Sequence, residues 1–264
     1  MHGAEIASSL SVHPMWPSFH VLLVAIPVLA GAYVIFGIAG FGTALVAAPI
    51  LAHIMPVASI VPLLALLDCI AASSTGIRFS AHISRSELWR LVPLMIIGSV
   101  AGTYLLLLMP SQPMMTALGI FVISYAIYGL VAPAAQHRLS RAWVFMFGTF
   151  GGAFSAMFGS GGPIYAMYLS RRLEDKQVFQ ATQTTLIGFA TLTRIVLFTI
   201  AGIYNDWHTP LLALCLLPGM LAGMWVGHHI TLRLAREQFL RVLYAILLGS
   251  GTTLIVHAAL AAAQ

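Results

Sequence analysis

Two ionisable residues stand inside long apolar runs of this 264-residue chain: Asp68 within 58–79 and Arg194 within 178–203. If those runs cross a membrane, a charge at the centre of either costs at least about 2.5 kcal/mol and needs a reason to be there. For Arg194 the reason we favour is contact with an anionic substrate. Guanidinium stays charged, and its planar fork matches an oxyanion. A structural ion pair, or a side chain snorkelling to the interface, is the alternative. Asp68 has three readings: partner of Arg194, carrier of a coupling proton, or passive buried acid. A polar patch, Gln180, Thr182, Gln183, Thr184 and Thr185, opens the run that carries Arg194. Gln180 and Thr184 share a helix face by their i,i+4 spacing. Gln180, Gln183 and Thr184 are candidate substrate contacts, with interhelical hydrogen bonding as the competing role. Tyr165 and Tyr168 are suited to closing a cavity or to packing. His53, His208, His228 and His229 fall at the ends of apolar runs and have no metal-ligand spacing, so no metal is expected.

Two glycine clusters must position these groups. Gly37-Ile-Ala-Gly40-Phe41-Gly42-Thr43 precedes the short run Thr43 to His53. Gly151-Gly152 and Phe158-Gly159-Ser160-Gly161-Gly162-Pro163 precede Pro163 to Ser170. Glycine disfavours a helix interior by roughly 1 kcal/mol relative to alanine. Proline is best tolerated in a first helical turn. Each cluster is therefore read as ending one helix and starting a shorter one. Aligning Gly40 with Gly159 places Gly42 on Gly161. Downstream, Gly98-Ser-Val-Ala-Gly102 matches Gly219-Met-Leu-Ala-Gly223 in the same order. Two marks in one order predict an internal duplication.

Composition fixes the class. Apolar residues make up 60 % of the chain and charged ones 7 %, against about 25 % charged in ordinary soluble domains. This is a polytopic membrane protein, all-α, and its basic balance is topological rather than a nucleic-acid signal. Cys69 and Cys215 both lie in apolar runs and read as small core residues. Residues 1–18 read as a short tail, 19–137 as a first repeat and 138–264 as a second. Each repeat is a glycine-broken helical hairpin followed by three spanning helices. The three runs are 58–79, 91–109 and 114–132 in the first repeat, and 178–203, 210–229 and 243–260 in the second.

Charge then orients them. Apart from Arg194, the lysines and arginines fall in four stretches: 78–90, 138–141, 171–176 and 233–241. The turns 53–57, 109–113 and 203–209 have none. The positive-inside rule puts the four basic stretches in the cytoplasm and the bare turns outside. Walking the chain under that rule places the first hairpin's ends outside and the second's inside. The repeats are then inverted, with both termini outside. The short arms, at about 1.5 Å per residue, reach only part of a roughly 30 Å hydrocarbon core, so the tips should meet near its middle. Helix N-termini there carry unpaired N–H groups and favour an anion. Gly40, Phe41, Gly42, Thr43, Gly159, Ser160, Gly161 and Gly162 are the expected tip residues of that site.

The segments 37–51 and 158–163 resemble the paired motifs of the sulfite exporter TauE/SafE family, also called the toluene-sulfonate uptake permease family. The resemblance covers the whole chain, including the repeat layout. It implies a secondary transporter of the inner membrane for sulfur oxyanions or organosulfonates, often proton-linked. The expected partners are a small anion, with a proton as candidate co-substrate, and membrane lipid. No cofactor and no nucleic acid are expected. An anion channel and a non-transporting anchor or assembly subunit are the rival functions. An enzyme is disfavoured because no nucleophile–His–acid set, P-loop or dinucleotide fingerprint occurs.

Overall fold

A computed structural model describes residues 19–39, 42–75, 83–131, 139–230 and 236–262. Among these, every regular element is helical. The α-helices are α1 (Phe19–Ala39), α2 (Thr43–Leu51), α3 (Val57–Thr75), α4 (Arg85–Leu108), α5 (Ser111–Val131), α6 (Trp143–Phe158), α7 (Gly162–Leu169), α8 (Lys176–Ile200), α9 (His208–Ile230) and α10 (Arg236–Ala262). A single 3₁₀ turn, Ile203–Asn205, links α8 to α9. Five stretches are long and apolar enough to cross a membrane: Arg85–Leu108, Ser111–Val131, Gln177–Ile200, His208–Gly227 and Leu243–Leu260. The molecule is a multi-pass membrane protein, and its surface agrees. Ile97, Ile200 and Leu214 are each more than half exposed, which only a lipid environment makes favourable over so much of a surface.

Local chemistry sets the helix ends. Gly159 caps α6 in the left-handed conformation (φ 71°), and its N–H donates to the Ser155 carbonyl at 2.9 Å. Pro163 stands in the first turn of α7, where its missing N–H costs nothing. Gly42 precedes α2 at φ 101°. The Asp175 carboxylate accepts the N–H groups of Gln177 and Val178 at 2.7 and 3.3 Å and starts α8 as an N-cap. Gly202 (φ 76°) ends the passage out of α8.

Two expectations on boundaries are corrected. The fourth helix begins at Arg85, six residues before the apolar run, and draws Arg85, Glu87 and Arg90 into its first turns. The tenth begins at Arg236, seven residues before its run. Basic and acidic residues are good helix formers, so a spanning helix continues past the hydrocarbon edge. The hairpin arms are also unequal. Helix α1 has 21 residues, about 31 Å, enough to cross, whereas α2 has 9, about 13 Å. Helix α6 has 16 residues and α7 has 8.

Packing follows the glycines. Helix α4 lies along α6, and α1 lies along α9. At the first crossing, a Cβ on Gly98, Gly102 or Gly152 would collide with the backbone of Thr149, Ala153 or Met95. At the second, Gly223 and Gly227 meet the backbone of Ala30 and Val34 in the same way. Small residues spaced by four let backbones touch, which is how membrane helices associate without a hydrophobic drive. Helices α5 and α10 pair, with Gly119 and Gly251 facing one another. Helices α3 and α8 cross in the middle, and α2 is enclosed by α1, α3 and α10. Eight of the nine α2 residues are buried, as expected for a helix apolar all round.

Candidate anion chamber between the helix tips

The two short helices begin at one place. Gly42 and Thr43 of α2, and Ser160, Gly161 and Gly162 leading into α7, line a common chamber of about 30 Å³. The tips touch: a Cβ on Gly159 would lie 2.7 Å from the Ala44 Cβ and 2.9 Å from Arg194 Nη1. Asp68 of α3 and Arg194 of α8 complete the wall, with Thr191, Ser155 and Tyr165. A space of that size holds roughly one or two waters.

The two charges meet across the α3–α8 crossing. Arg194 Nη2 donates to Asp68 Oδ2 at 3.3 Å and to Thr191 Oγ1 at 3.2 Å. Asp68 Oδ1 accepts from Tyr33 and Thr43 hydroxyls, each at 2.9 Å. The carboxylate thus has three donors from three helices. The guanidinium is under-used. Arg194 is 2 % exposed, yet its Nε and Nη1 have no hydrogen-bond partner. An optimised arginine–carboxylate pair is short and bidentate; this one is single and long. Each donor buried without an acceptor costs about 1–3 kcal/mol, more when charged. The spare donors lie where two helix N-termini add their own unpaired N–H groups. These are the kinds of donor an anion uses.

Several predicted site residues converge here, and others do not. Gly42, Thr43, Gly159, Ser160, Gly161, Gly162, Asp68 and Arg194 all line the chamber. Gly40 and Phe41 lie outside the described residues. Gln180 is exposed on the outer side of α8, and Thr184 is half-buried away from the chamber. Gln183 is buried with its Nε2 unpartnered but does not line the chamber either. Thr182 instead accepts the Ser84 N–H at 2.9 Å, which ties the start of α8 to the start of α4. Gln180 stands about four turns from Arg194, and the chamber wall on α8 begins only at Ile187.

Sequence reasoning missed Tyr33, Ser155 and Thr191 as residues of the site. Thr191, three residues before Arg194, carried a signal in its helical spacing; Tyr33 stands in an apolar run with none. It also missed Glu87, which falls within the basic stretch 78–90. Glu87 is 5 % exposed. It accepts from the Tyr168 hydroxyl at 2.9 Å and from Arg172 Nε and Nη2 at 3.3 and 3.0 Å. Arg90 is 3.4 Å away. The cluster fastens the far end of α7 to the first turn of α4. Its hydrogen bonds to Glu87 raise the Arg172 guanidinium above its ordinary value. Tyr168 therefore has a structural partner rather than a place over the chamber.

A bundle of apolar spanning helices enclosing one charged chamber between discontinuous helices defines a membrane permease. The family model described as sulfite exporter TauE/SafE matches residues 23–254, and the chain belongs to that family. Its members are membrane transporters, not enzymes. No curated protein and no solved structure matches the chain.

Proposed function

We propose that this chain is a secondary active carrier of a small sulfur-containing or organic anion, such as sulfite or a sulfonate. It works across the inner membrane by alternating access, with coupling to a proton through Asp68. One observation carries the reading. Arg194 is buried and has two unpartnered nitrogens beside a chamber bounded by two helix N-termini and a carboxylate. The chamber is tight, and alternating access supplies the wider state through which an anion enters.

The two-repeat division, 19–137 and 138–264, supplies the moving parts. Several packed pairs exchange when each helix is replaced by its counterpart: α4 on α6 with α9 on α1, α4 on α8 with α9 on α3, and α2 on α3 with α7 on α8. The Gly98/Gly102 and Gly219/Gly223 marks fall on the first of those exchanged pairs, Gly219 against Ile26. This supports two related halves, and the basic stretches support their inversion, with both termini outside. Cysteine labelling tests the orientation. With Cys69 and Cys215 replaced by alanine, Trp207→Cys should react with an impermeant reagent from outside and Leu139→Cys only after permeabilisation. Equal reactivity of both from one face would end the inverted arrangement.

The carrier reading is tested with purified chain in liposomes. Sulfite or sulfonate uptake should saturate, show counter-transport, and accumulate against a gradient when a pH difference is imposed. Flux that rises linearly with concentration and shows no counter-transport would identify a channel, and absence of flux a non-transporting subunit.

A further inference from the structure

We infer that the Tyr165 hydroxyl is a second substrate-contacting donor of the chamber, beside the Arg194 guanidinium. The inference rests on the carrier reading above, in which Arg194 binds the anion. It starts from an accounting of buried polar atoms. Among the described residues, five buried side-chain atoms lack a partner: Thr103 Oγ1, Tyr165 Oη, Gln183 Nε2, Arg194 Nε and Arg194 Nη1. Three of these belong to two residues that line the chamber. Other interior tyrosines do find acceptors. Tyr33 donates to Asp68, Tyr168 to Glu87, and Tyr204 to the Pro62 carbonyl at 3.0 Å. Tyr165, fully buried, does not.

The position is built rather than incidental. The Tyr165 ring lies over Gly151, where a Cβ would collide with it, and beside Gly161, whose Cβ would sit 3.1 Å from Cε2. Two glycines of the tip region therefore make room for this ring. If packing alone were needed, phenylalanine would fill the same volume without burying an unpaired hydroxyl, whose desolvation is unfavourable. Tyr165 stands on α7, one turn past the tip, while Arg194 stands on α8. An anion between them would accept from the phenol on one side and from Nε and Nη1 on the other. Sulfite, a sulfonate head or a carboxylate each carries lone pairs enough to accept all three donors.

The test is Tyr165→Phe in the full-length purified protein, with binding of sulfite, methanesulfonate and acetate measured by titration calorimetry beside ligand-free melting. Removing a donor that has no protein partner should leave the ligand-free melting temperature unchanged or raised. Loss of one hydroxyl bond to an anion should weaken sulfite and methanesulfonate by about tenfold to a hundredfold, and acetate likewise where it binds. A lower ligand-free melting temperature, or failure to fold, would show that the hydroxyl has a structural role and overturn the inference. Unchanged sulfite binding would overturn it too. Arg194→Ala run in parallel separates the two levels. If wild type binds through Arg194 and Tyr165→Phe matches wild type, only the Tyr165 assignment fails. If Arg194→Ala also matches wild type, the carrier reading fails with it.

Discussion

Arg194→Ala abolishes anion binding and flux, while Arg194→Lys retains a small part of both. That is the expected result if the guanidinium is the anion's counter-charge. Two or more charge-assisted bonds at about 1.5–3 kcal/mol each put the loss for alanine above about a hundredfold. Lysine restores the charge but not the planar fork, and its ammonium cannot reach the same donor positions. Asp68 behaves differently. Its carboxylate holds Arg194 by one 3.3 Å contact through Nη2, which leaves Nε and Nη1 for the anion. Asp68→Asn keeps an oxygen for Tyr33 and Thr43 and should still bind and exchange substrate. If Asp68 carries the coupling proton, this variant should lose accumulation driven by a pH gradient.

The structural alternative makes a different forecast. If the pair only holds α3 to α8, either single change leaves a buried charge without its partner, at about 3–5 kcal/mol. The double change to neutral residues then recovers folding and transport together. If Arg194 instead binds the anion, Arg194→Ala/Asp68→Asn recovers folding but not transport. Melting temperature and liposome flux on both singles and the double decide between them. Restored flux in the double variant would remove Arg194 from the substrate site. Undiminished pH-driven accumulation in Asp68→Asn would remove the proton from Asp68.

Which parts of this were legible in the sequence depends on what a membrane does to the usual signals. Helix ends were readable because Gly159, Pro163 and Gly42 act through the backbone, whatever the solvent. The two charges were readable because an apolar run makes an ionisable residue conspicuous. The orientation of each helix was not. In a soluble protein the polar face marks the outside, but here the outward faces of α4 and α9 are as apolar as the inward ones. Nothing in the run around Tyr33 says that it faces Asp68, and nothing marks Gln180 as facing away from the tips. Glu87 was hidden for a related reason. It sits among arginines in a stretch that reads as a loop, whereas the helix continues through that stretch and buries it under Tyr168 and Arg172. Its first-turn position also suits the helix dipole.

The tip glycines should fail under substitution for three separate reasons, and the separation is the test. Gly159→Ala places a methyl 2.7 Å from Ala44 and 2.9 Å from Arg194 Nη1, at φ 71°. It must force the tips apart or push the guanidinium aside. Anion binding should be lost more completely than stability, since the displaced groups are those the anion uses. Gly161→Val is unstrained in backbone, at φ −70°. Its Cβ, however, would lie 2.6 Å from the Gly151 carbonyl and 2.7 Å from Ser155 Cβ. It should stop transport by displacing α7 and Tyr165 while leaving membrane insertion intact. Gly42 is the reverse case. A Cβ there would have only Ile35 near, at 3.8 Å, but φ is 101°. Space is available and conformation is not, so Gly42→Val should cost at least about 1–2 kcal/mol of backbone strain and also stop transport. Asparagine tolerates the left-handed region better than other side chains. Gly42→Asn should therefore recover part of the flux, whereas Gly161→Asn should recover none. Flux and binding measured across the five variants check this pattern. Wild-type transport in Gly159→Ala would mean that the tips do not close on Arg194 during the cycle. Equal behaviour of asparagine at 42 and 161 would mean that strain and space are not what the two glycines respectively relieve.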